Sequence, residues 1–322
     1  LQLHYTDVYL PGNGGMDIVV TRSYTNPQGR PDFRSINGVG WALHMGRVVV
    51  STAGANSLCS LAGMESSEYK PALEQPSGGR EILVYNGVLD DGSLINKSNW
   101  RVECIHSAAP SAGVIVTSPD GRRYTMDERS AVTSGAGQAE TSWYTTRIED
   151  LEGNWIAVSY FTLPGNGNLG YKVIDEISSS DNHLVEFEYS LEVGGELSAQ
   201  STLERIVANS VREWQYVYEL ADTDPGLLPL NVLTEVHRPD QTFWRFSYYP
   251  ESRVQDPNFP LDFVWAPQSL ALEQITYPWG GTINYTYQLE LFYPFIAGGD
   301  LRSLTPSPET KSSSHPGPWR YR

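Results

Sequence analysis

A glycine-rich stretch, PGNGGMD (11–17), has the composition of a loop that could bind phosphate through backbone N–H groups. A nucleotide-binding loop of that kind reads G-x-x-x-x-G-K-[ST] and opens a helix, and this chain has neither the motif nor a helical pattern after it. The glycines are therefore predicted to form a turn that joins Val8-Tyr9-Leu10 to a strand from Met16 to Tyr24.

Metal binding is not favoured by the spacing of the histidines and cysteines. No H-E-x-x-H and no i, i+4 histidine pair occurs, and Cys59 and Cys104 are 45 positions apart. DTDPG (222–226) and DDG (90–92) resemble parts of a calcium loop, but neither supplies the remaining oxygen ligands, so turns are predicted there. We expect no metal and no cofactor. The histidines, expected to be ordinary core or surface residues, are His4, His44, His106, His183, His237 and His315.

Catalytic motifs are missing from the sequence. There is no G-x-S-x-G nucleophile motif. With 38 acidic residues, a carboxylate pair for glycoside hydrolysis could still assemble from distant strands, but no spacing selects one. We predict no catalytic residues and expect that the chain is not an enzyme.

Composition narrows the class of protein. The formal charge of −16 argues against a nucleic-acid surface, and no run of 18 apolar residues or signal peptide is visible. The 19 Tyr, 9 Trp and 9 Phe suit strands, and the 29 Gly and 21 Pro suit turns. Cys59 and Cys104 either form one disulfide or remain two buried thiols.

Five windows share one internal frame. In each, an Ile or Val precedes a Tyr by twelve positions, and a Leu, Ile or Thr lies three positions before the aliphatic residue. The links between successive tyrosines vary, with steps of 29, 29, 30 and 39 residues, whereas the internal interval does not. The windows are 145–160, 174–190, 203–219, 233–249 and 272–288, and we number them repeats one to five. Their anchors are Ile148, Ile177, Ile206, Val236 and Ile275, with Tyr160, Tyr189, Tyr218, Tyr248 and Tyr287.

Each window is predicted to be a β-hairpin. Turn formers such as Glu152-Gly153-Asn154 and Pro239-Asp240 separate two apolar runs. After the turn, alternate positions are large and apolar, as in Trp214-Tyr216-Tyr218 and Trp244-Phe246-Tyr248, while the intervening positions are polar. Since one hairpin is marginal in water, each is expected to need its neighbour to cover the aromatic face. The anchor tyrosines, Trp214 and Trp244 are therefore predicted to be structural.

A sixth, weaker copy lies at 113–128, with Val116 in the aliphatic position and Glu128 in place of the terminal Tyr. At the other end, PGPWRYR (316–322) puts Trp319 and Tyr321 into the aromatic frame. We expect that the native polypeptide continues beyond this segment.

The frame L-x-x-I-x-x-P-D-G-x-x-W-x-Y-x-Y resembles the tyrosine-aspartate (YD) repeats of Rhs proteins, toxin-complex shell components and teneurins. VYLPGNGGMDIVVTRSYTN (8–26) followed by GVGWALHMGRVV (38–49) looks like the opening segment of bacterial Rhs and YD-repeat proteins. Only repeat four keeps the Pro-Asp pair, and 51–112 and 249–271 show no motif.

The resemblance implies an all-β fold in which repetitive antiparallel hairpins form a long spiralling sheet, part of a hollow shell. It implies an opening segment at 1–144 and a repeat array at 145–322. The expected function is a shell wall that encloses or displays a C-terminal toxin or effector, with the family's self-cleavage site outside this chain. Expected partners are the remainder of the same polypeptide and components of a secretion apparatus, with no nucleic acid and no membrane span. The expected location is secreted or on the bacterial cell surface. The alternative function is an extracellular adhesion or glycan-binding module.

Overall fold

The structure is a computed structural model of the 322-residue chain. It describes residues 1–313 apart from 27–35, 52–70, 77, 86–91, 106–111, 134–138, 166, 192–196, 199–200, 222–229, 256–262, 266–267 and 293–302. Cys59, His106, His315, Trp319, Tyr321, most of the DDG stretch and the DTDPG stretch therefore lie outside the described residues.

The described residues form an all-β structure, which confirms the predicted fold class. One short 3-10 turn, Asn13–Gly15, interrupts the strands, and no α-helix occurs in the part of the chain that the structure describes. The first twelve strands are β1 Gln2–Leu10, β2 Ile18–Thr25, β3 Trp41–Leu43, β4 Arg47–Ser51, β5 Ala72–Glu74, β6 Arg80–Ile82, β7 Val84–Tyr85, β8 Leu94–Ile95, β9 Arg101–Cys104, β10 Val114–Thr117, β11 Arg123–Thr133 and β12 Ala139–Glu149. The remaining strands are β13 Trp155–Gly165, β14 Gly167–Ser179, β15 Leu184–Tyr189, β16 Leu203–Ala208, β17 Arg212–Leu220, β18 Asn231–His237, β19 Phe243–Tyr248, β20 Arg253–Gln255, β21 Phe263–Trp265, β22 Leu272–Thr276, β23 Thr282–Phe292 and β24 Ser303–Ser313.

Two compact units divide the chain. The first unit comprises His4–Ser23 and Leu43–Glu213, and the second comprises Leu1–Leu3, Tyr24–Ala42 and Trp214–Arg322. The predicted boundary at 144/145, which marks where the repeats begin, falls inside β12 and stays a prediction.

In the first unit, antiparallel pairing runs in the order β8-β9-β10-β11-β12-β13-β14-β15-β16. The sheet branches at β12: Glu140 to Tyr144 pair with β4, whereas Arg147 to Glu149 pair with β13. β5 and β6 extend the sheet from β4. The second unit has the order β17-β18-β19-β22-β23-β24, and β20 and β21 form a separate pair.

The strands are half-buried ribbons, as the alternating sequence predicts. In β15, Val185 and Phe187 are buried while Glu186 and Glu188 are exposed. In β17, Trp214 and Tyr216 are buried while Gln215 is exposed, so the aromatic face lies in the core. The anchor tyrosines at the strand ends are half-buried.

Hairpin turns of one type recur at the weak copy and at repeats one, two, four and five. In each turn, the N–H of one residue donates to the carbonyl oxygen of the residue four positions later. The last of the three residues between them lies five positions after the aliphatic anchor and has φ > 0. This is the three-residue loop that ends in a left-handed residue. The closing pairs are 118/122, 150/154, 179/183, 238/242 and 277/281, and the left-handed residues are Gly121, Gly153, Asn182, Gln241 and Gly280.

Repeat three has a different turn. Asn209 and Ser210 both have φ > 0, and Val211 N–H donates to Ala208 O, which is the two-residue hairpin loop. Elsewhere, PGNGG forms the predicted turn, although β2 begins at Ile18 rather than Met16. Cys104 is part of a disulfide. No helix in the described part has the length and apolarity needed to cross a membrane.

Candidate functional site: the tyrosine junctions

The five aliphatic anchors are buried and occupy equivalent places in the sheet. Within a hairpin, an anchor pairs with the residue eight positions later, as Ile177 does with Val185 and Val236 with Trp244. Between hairpins, four anchors pair with the residue at the tenth position after the previous anchor. These pairs are Ile177 with Val158, Ile206 with Phe187, Val236 with Tyr216, and Ile275 with Phe246. Each anchor thus ties its hairpin to its neighbour.

The terminal tyrosines make one repeated hydrogen bond. In four repeats the hydroxyl donates to the backbone carbonyl fifteen residues earlier, which belongs to the Leu, Ile or Thr three positions before the aliphatic anchor. The bonds are Tyr160 to Thr145 at 2.5 Å, Tyr189 to Ile174 at 2.6 Å, Tyr248 to Leu233 at 2.7 Å and Tyr287 to Leu272 at 2.7 Å. The tyrosine therefore closes the open end of its own hairpin.

A register shift lies immediately before each anchor tyrosine. The shifts fall at Ser159/Tyr160, Glu188/Tyr189, Val217/Tyr218, Ser247/Tyr248 and Thr286/Tyr287. After the shift, four of these tyrosines pair through the backbone with the first position of the next repeat, such as Tyr189 with Leu203 and Tyr248 with Leu272. A bulge bends and twists the strand, so the strand changes direction at the same position in each repeat.

Burial favours the protonated form of two of these hydroxyls, those of Tyr160 and Tyr287. Burial raises the pKa of Tyr160 well above its usual value, and the nearby Tyr144 and Glu128 add to the effect. Burial raises the pKa of Tyr287 as well, with a contribution from Tyr285. A neutral phenol is a hydrogen-bond donor, which is what the carbonyl partner requires.

Two residues of the opening segment complete the junction at repeat four. Trp41 Nε1 donates to the Tyr248 hydroxyl at 2.7 Å, and the Trp41 ring contacts Phe246 edge-on, with centroids 5.0 Å apart. The buried Tyr24 hydroxyl accepts the backbone N–H of Leu272 at 2.9 Å and donates to Asn26 Oδ1. Tyr24 and Trp41 come from the RSYTN and GVGW motifs.

The two tryptophan anchors have different surroundings. Trp214 is 5 % exposed and lies in the core. Trp244 is half-buried and packs against two aromatic residues of the next hairpin, Tyr277 at 4.8 Å and Trp279 at 6.1 Å between centroids. Tyr277 and Trp279 stack on each other at 4.7 Å, and Trp279 is 61 % exposed.

A buried ion cluster lies where the first unit's sheet branches. Arg47 Nε donates to Glu74 Oε2 at 2.6 Å, its Nη1 donates to the Tyr144 hydroxyl at 3.0 Å, and His44 Nε2 lies 3.5 Å from the same carboxylate. Burial by itself raises the pKa of Glu74, but the charge of Arg47 and the hydrogen bonds from His44 and Arg47 outweigh it and hold the pKa well below its usual range. These contacts join β4, β5 and β12.

The weak copy and the histidines take part in local contacts. Val116 pairs with Tyr124 across the predicted hairpin, and Glu128, in the tyrosine position, pairs with Lys172. His237 stacks on Phe243 and bonds Glu235. Among the described residues, no three His, Cys, Asp or Glu side chains are grouped as a metal site. The expectations that the chain binds no metal and is not an enzyme stay predictions.

Sequence reasoning found the anchors but missed the hydroxyl–carbonyl bond. The signal for it was present, because the residue that accepts the bond is the Leu, Ile or Thr already noted three positions before each anchor. It also missed Tyr24, Trp41 and Arg47, whose partners lie far away in the sequence.

These features define an all-β protein built from tyrosine-closed hairpins. No family model and no curated protein sequence matches the chain. Among solved structures, it is similar to TcdB2-TccC3, with a TM-score of 0.48, 12 % identity, 95 % of this chain and 19 % of that chain. It is also similar to the Tc holotoxin pore of Photorhabdus luminescens, with a TM-score of 0.47, 10 % identity, 95 % of this chain and 19 % of that chain.

A third similar structure is the N-terminal domain of the effector protein SpvB from Salmonella typhimurium strain LT2. It has a TM-score of 0.36 and 11 % identity, and the match covers 96 % of this chain and 98 % of that chain. The chain spans about a fifth of the length of the two toxin-complex structures. At these identities the likeness does not establish the family of this chain.

Proposed function

We propose that the chain is a structural wall segment that uses tyrosine-closed hairpins to build part of an Rhs-type shell. The observation that carries the proposal is the recurrence of one bond, from a tyrosine hydroxyl to the carbonyl fifteen residues earlier, in four repeats. A bond that repeats with the hairpins serves the array, whereas a binding or catalytic site needs to be built only once.

The two faces of the ribbon support the same role. One face carries aromatic side chains into the core, and the other carries exposed ion pairs such as Glu188 with Arg205 and Glu235 with Arg245. Exposed ion pairs of this kind add little stability, but they keep this face of the sheet hydrated and disfavour its packing against other sheets.

The enclosed or displayed component is the remainder of the same polypeptide, which in the resembling family carries a toxin or effector. A secretion apparatus and a location outside the bacterial cell belong to the same proposal. The test is limited proteolysis of the full-length polypeptide. We expect the segment that follows the repeats to be protected while the wall is folded and to be digested once Tyr248→Ala loosens it. If the segment that follows the repeats is digested at the same rate in both proteins, although the wall of the parent protein is folded, the result argues against enclosure.

The second candidate function is glycan binding, and one observation favours it. Trp279 lies at the tip of its hairpin, 61 % exposed, and its ring is held by stacking on Tyr277 and by an edge contact with Trp244. Exposed Trp and Tyr rings of this kind stack well against sugar rings and offer polar edges.

A glycan array with the purified chain tests this candidate. Binding that is lost in Trp279→Ala and retained in Leu151→Ala would establish a sugar platform, because Leu151 is also an exposed apolar residue at a hairpin tip, with 82 % exposure. Absence of glycan binding in the parent chain, or equal loss of binding in both variants, would rule out this sugar platform and leave the wall function as the single candidate.

A further inference from the structure

The opening loop PGNGG lies across the tips of three consecutive hairpins of the first unit. These hairpins are β10–β11, β12–β13 and β14–β15, which we call tips one, two and three. Their six strands are neighbours in one antiparallel sheet, so the tips form a row along one end of it. Sequence reasoning identified the loop only as a turn between two strands.

Each tip contacts a different residue of the loop. At tip one, Arg122 Nη2 donates to Gly15 O at 2.9 Å. At tip three, Asp181 Oδ2 accepts the Asn13 N–H at 2.7 Å, and His183 Nε2 donates to Pro11 O at 3.0 Å. The loop therefore runs in the direction opposite to the order of the hairpins.

Tip two touches the middle of the loop. A Cβ on Gly14 would lie 3.0 Å from Asn154 Nδ2, 3.0 Å from Glu152 Oε2 and 3.1 Å from Asp150 Oδ2. Asp150 is itself held by the backbone N–H groups of Glu152 and Asn154, both at 2.9 Å, so the carboxylate has a fixed position. Gly14 also has φ of 61°, which favours glycine.

A second glycine is required by a close approach within the loop. A Cβ on Gly12 would clash with the carbonyl oxygen of Met16 and would lie 3.1 Å from Asp181 Oδ2. The Gly12 N–H donates to Asp17 Oδ1 at 2.9 Å, which fixes the curvature of the loop. Both glycines are thus explained by what the loop must touch.

The loop is shorter than the row of tips, so side chains must span part of the distance. Adjacent strands lie about 4.8 Å apart, so four strand spacings separate tips one and three by roughly 19 Å. Four residue steps reach about 14 Å at most. The side chains of Arg122 and His183, which bond Gly15 O and Pro11 O from the two outer tips, span the remainder.

We propose that the row of three tips is a docking surface whose occupant is the chain's own PGNGG segment, and that this docking fixes the register of the first hairpins. A hairpin that slipped along its neighbour would move its tip away from the row and lose its contact with the loop. The PGNGG loop thus sets the alignment of the three hairpins relative to one another.

Amide hydrogen exchange at the three tips tests the proposal. The reporting amides are those of Ser118, Asp150 and Ser179, each of which donates the bond that closes its turn. In Asp181→Ala, we expect exchange at all three to accelerate about tenfold or more, because the loop is released as one piece. The equivalent amides of Arg238 and Tyr277, in turns that the described loop contacts do not reach, should keep their rates.

Asp240→Ala is the matched control, because Asp240 occupies the same turn position as Asp181 and caps its own turn through Thr242. It should accelerate exchange at its own turn only. A second variant, Gly14→Ala, should reproduce the effect of Asp181→Ala, while Gly280→Ala, where the added Cβ has open space, should act only locally. Acceleration confined to Ser179 in Asp181→Ala, or equal acceleration at Arg238, would overturn the proposal.

Discussion

At the scale of single residues, the hydroxyls of the anchor tyrosines form hydrogen bonds to protein groups in place of water. Tyr248 donates to Leu233 O and accepts from Trp41 Nε1, both at 2.7 Å. Removing the hydroxyl leaves a carbonyl and an indole N–H without this partner in a partly buried place. The cost is therefore larger than that of one average hydrogen bond.

We expect Tyr248→Phe to lower the free energy of unfolding by about 1–3 kcal/mol, since the Leu233 carbonyl and the Trp41 indole both lose their bond to the hydroxyl. We expect Tyr248→Ala to lower it by about 3 kcal/mol or more, because the ring is lost as well. Urea unfolding measures both. Tyr9→Phe is the control, since the Tyr9 hydroxyl bonds Asp17 at an exposed position. Equal effects of Tyr9→Phe and Tyr248→Phe would contradict the assigned role.

Glu74 determines a second property at this scale, the response of stability to acid. Its pKa is held well below the usual value in the folded chain, against about 4.3 when unfolded. Because the folded pKa is the lower one, the unfolded chain takes up the proton first as the pH falls. The stabilisation from ionised Glu74 is thus present above about pH 5 and is lost progressively below it.

Glu74→Gln should accordingly reduce the free energy of unfolding by about 3 kcal/mol at pH 7, as expected when one partner of a buried pair is removed. The difference from the parent chain should shrink between pH 5 and pH 3. Glu103→Gln, which alters an exposed pair with Arg101, should cost less than about 1 kcal/mol. Unfolding curves at a series of pH values decide this, and a difference that does not change with pH would refute the assignment.

At the scale of the hairpin, the turn geometry explains why the twelve-residue interval survives. Five of the six turns place a left-handed residue at the fifth position after the aliphatic anchor, and glycine fills it in three of them. Asn182 adopts the same conformation with a modest penalty, whereas Gln241, with φ of 66°, has a side chain poorly suited to it.

We therefore expect Gln241→Gly to raise the free energy of unfolding by about 0.5–1 kcal/mol, because it relieves the left-handed strain. Gly280→Ala should lower it by about 1 kcal/mol for the converse reason, since the space around Gly280 is open and only the backbone angle matters. Thermal melts of the two variants provide the comparison. Changes of the same sign in both would show that the angle does not control these turns.

How much the sequence predicts is also visible at this scale. The hairpins and their inward aromatic faces followed from local patterns, because periods of two and fixed turn lengths repeat along the chain. The turn of repeat three did not, since Asn209-Ser210 forms a shorter loop without changing the twelve-residue interval. The bond from Trp41 to Tyr248 spans 207 residues and leaves no periodic trace.

At the scale of the whole chain, two opposing effects control the self-association of this protein. A sheet that ends in unpaired strands offers backbone groups to other chains. The formal charge of −16 makes molecules repel one another at low ionic strength. Screening by salt weakens the repulsion but leaves the backbone groups unchanged.

We expect the isolated chain to associate as the salt concentration rises from about 0.05 to 0.5 M, over which the screening length falls from above 10 Å to below 5 Å. Sedimentation velocity at several protein concentrations measures this. A chain that stays monomeric throughout would show that its edges are covered.

The central claim is that each hairpin depends on its neighbour through the tyrosine junction. Native-state hydrogen exchange of Tyr189→Ala tests it most directly, with Leu191→Ala as control, because Leu191 is 60 % exposed and lies two residues away. We predict that exchange rises by about a hundredfold in β14, β15 and β16 together, while Leu191→Ala changes little. An increase limited to β15, or equal in both variants, would contradict the claim.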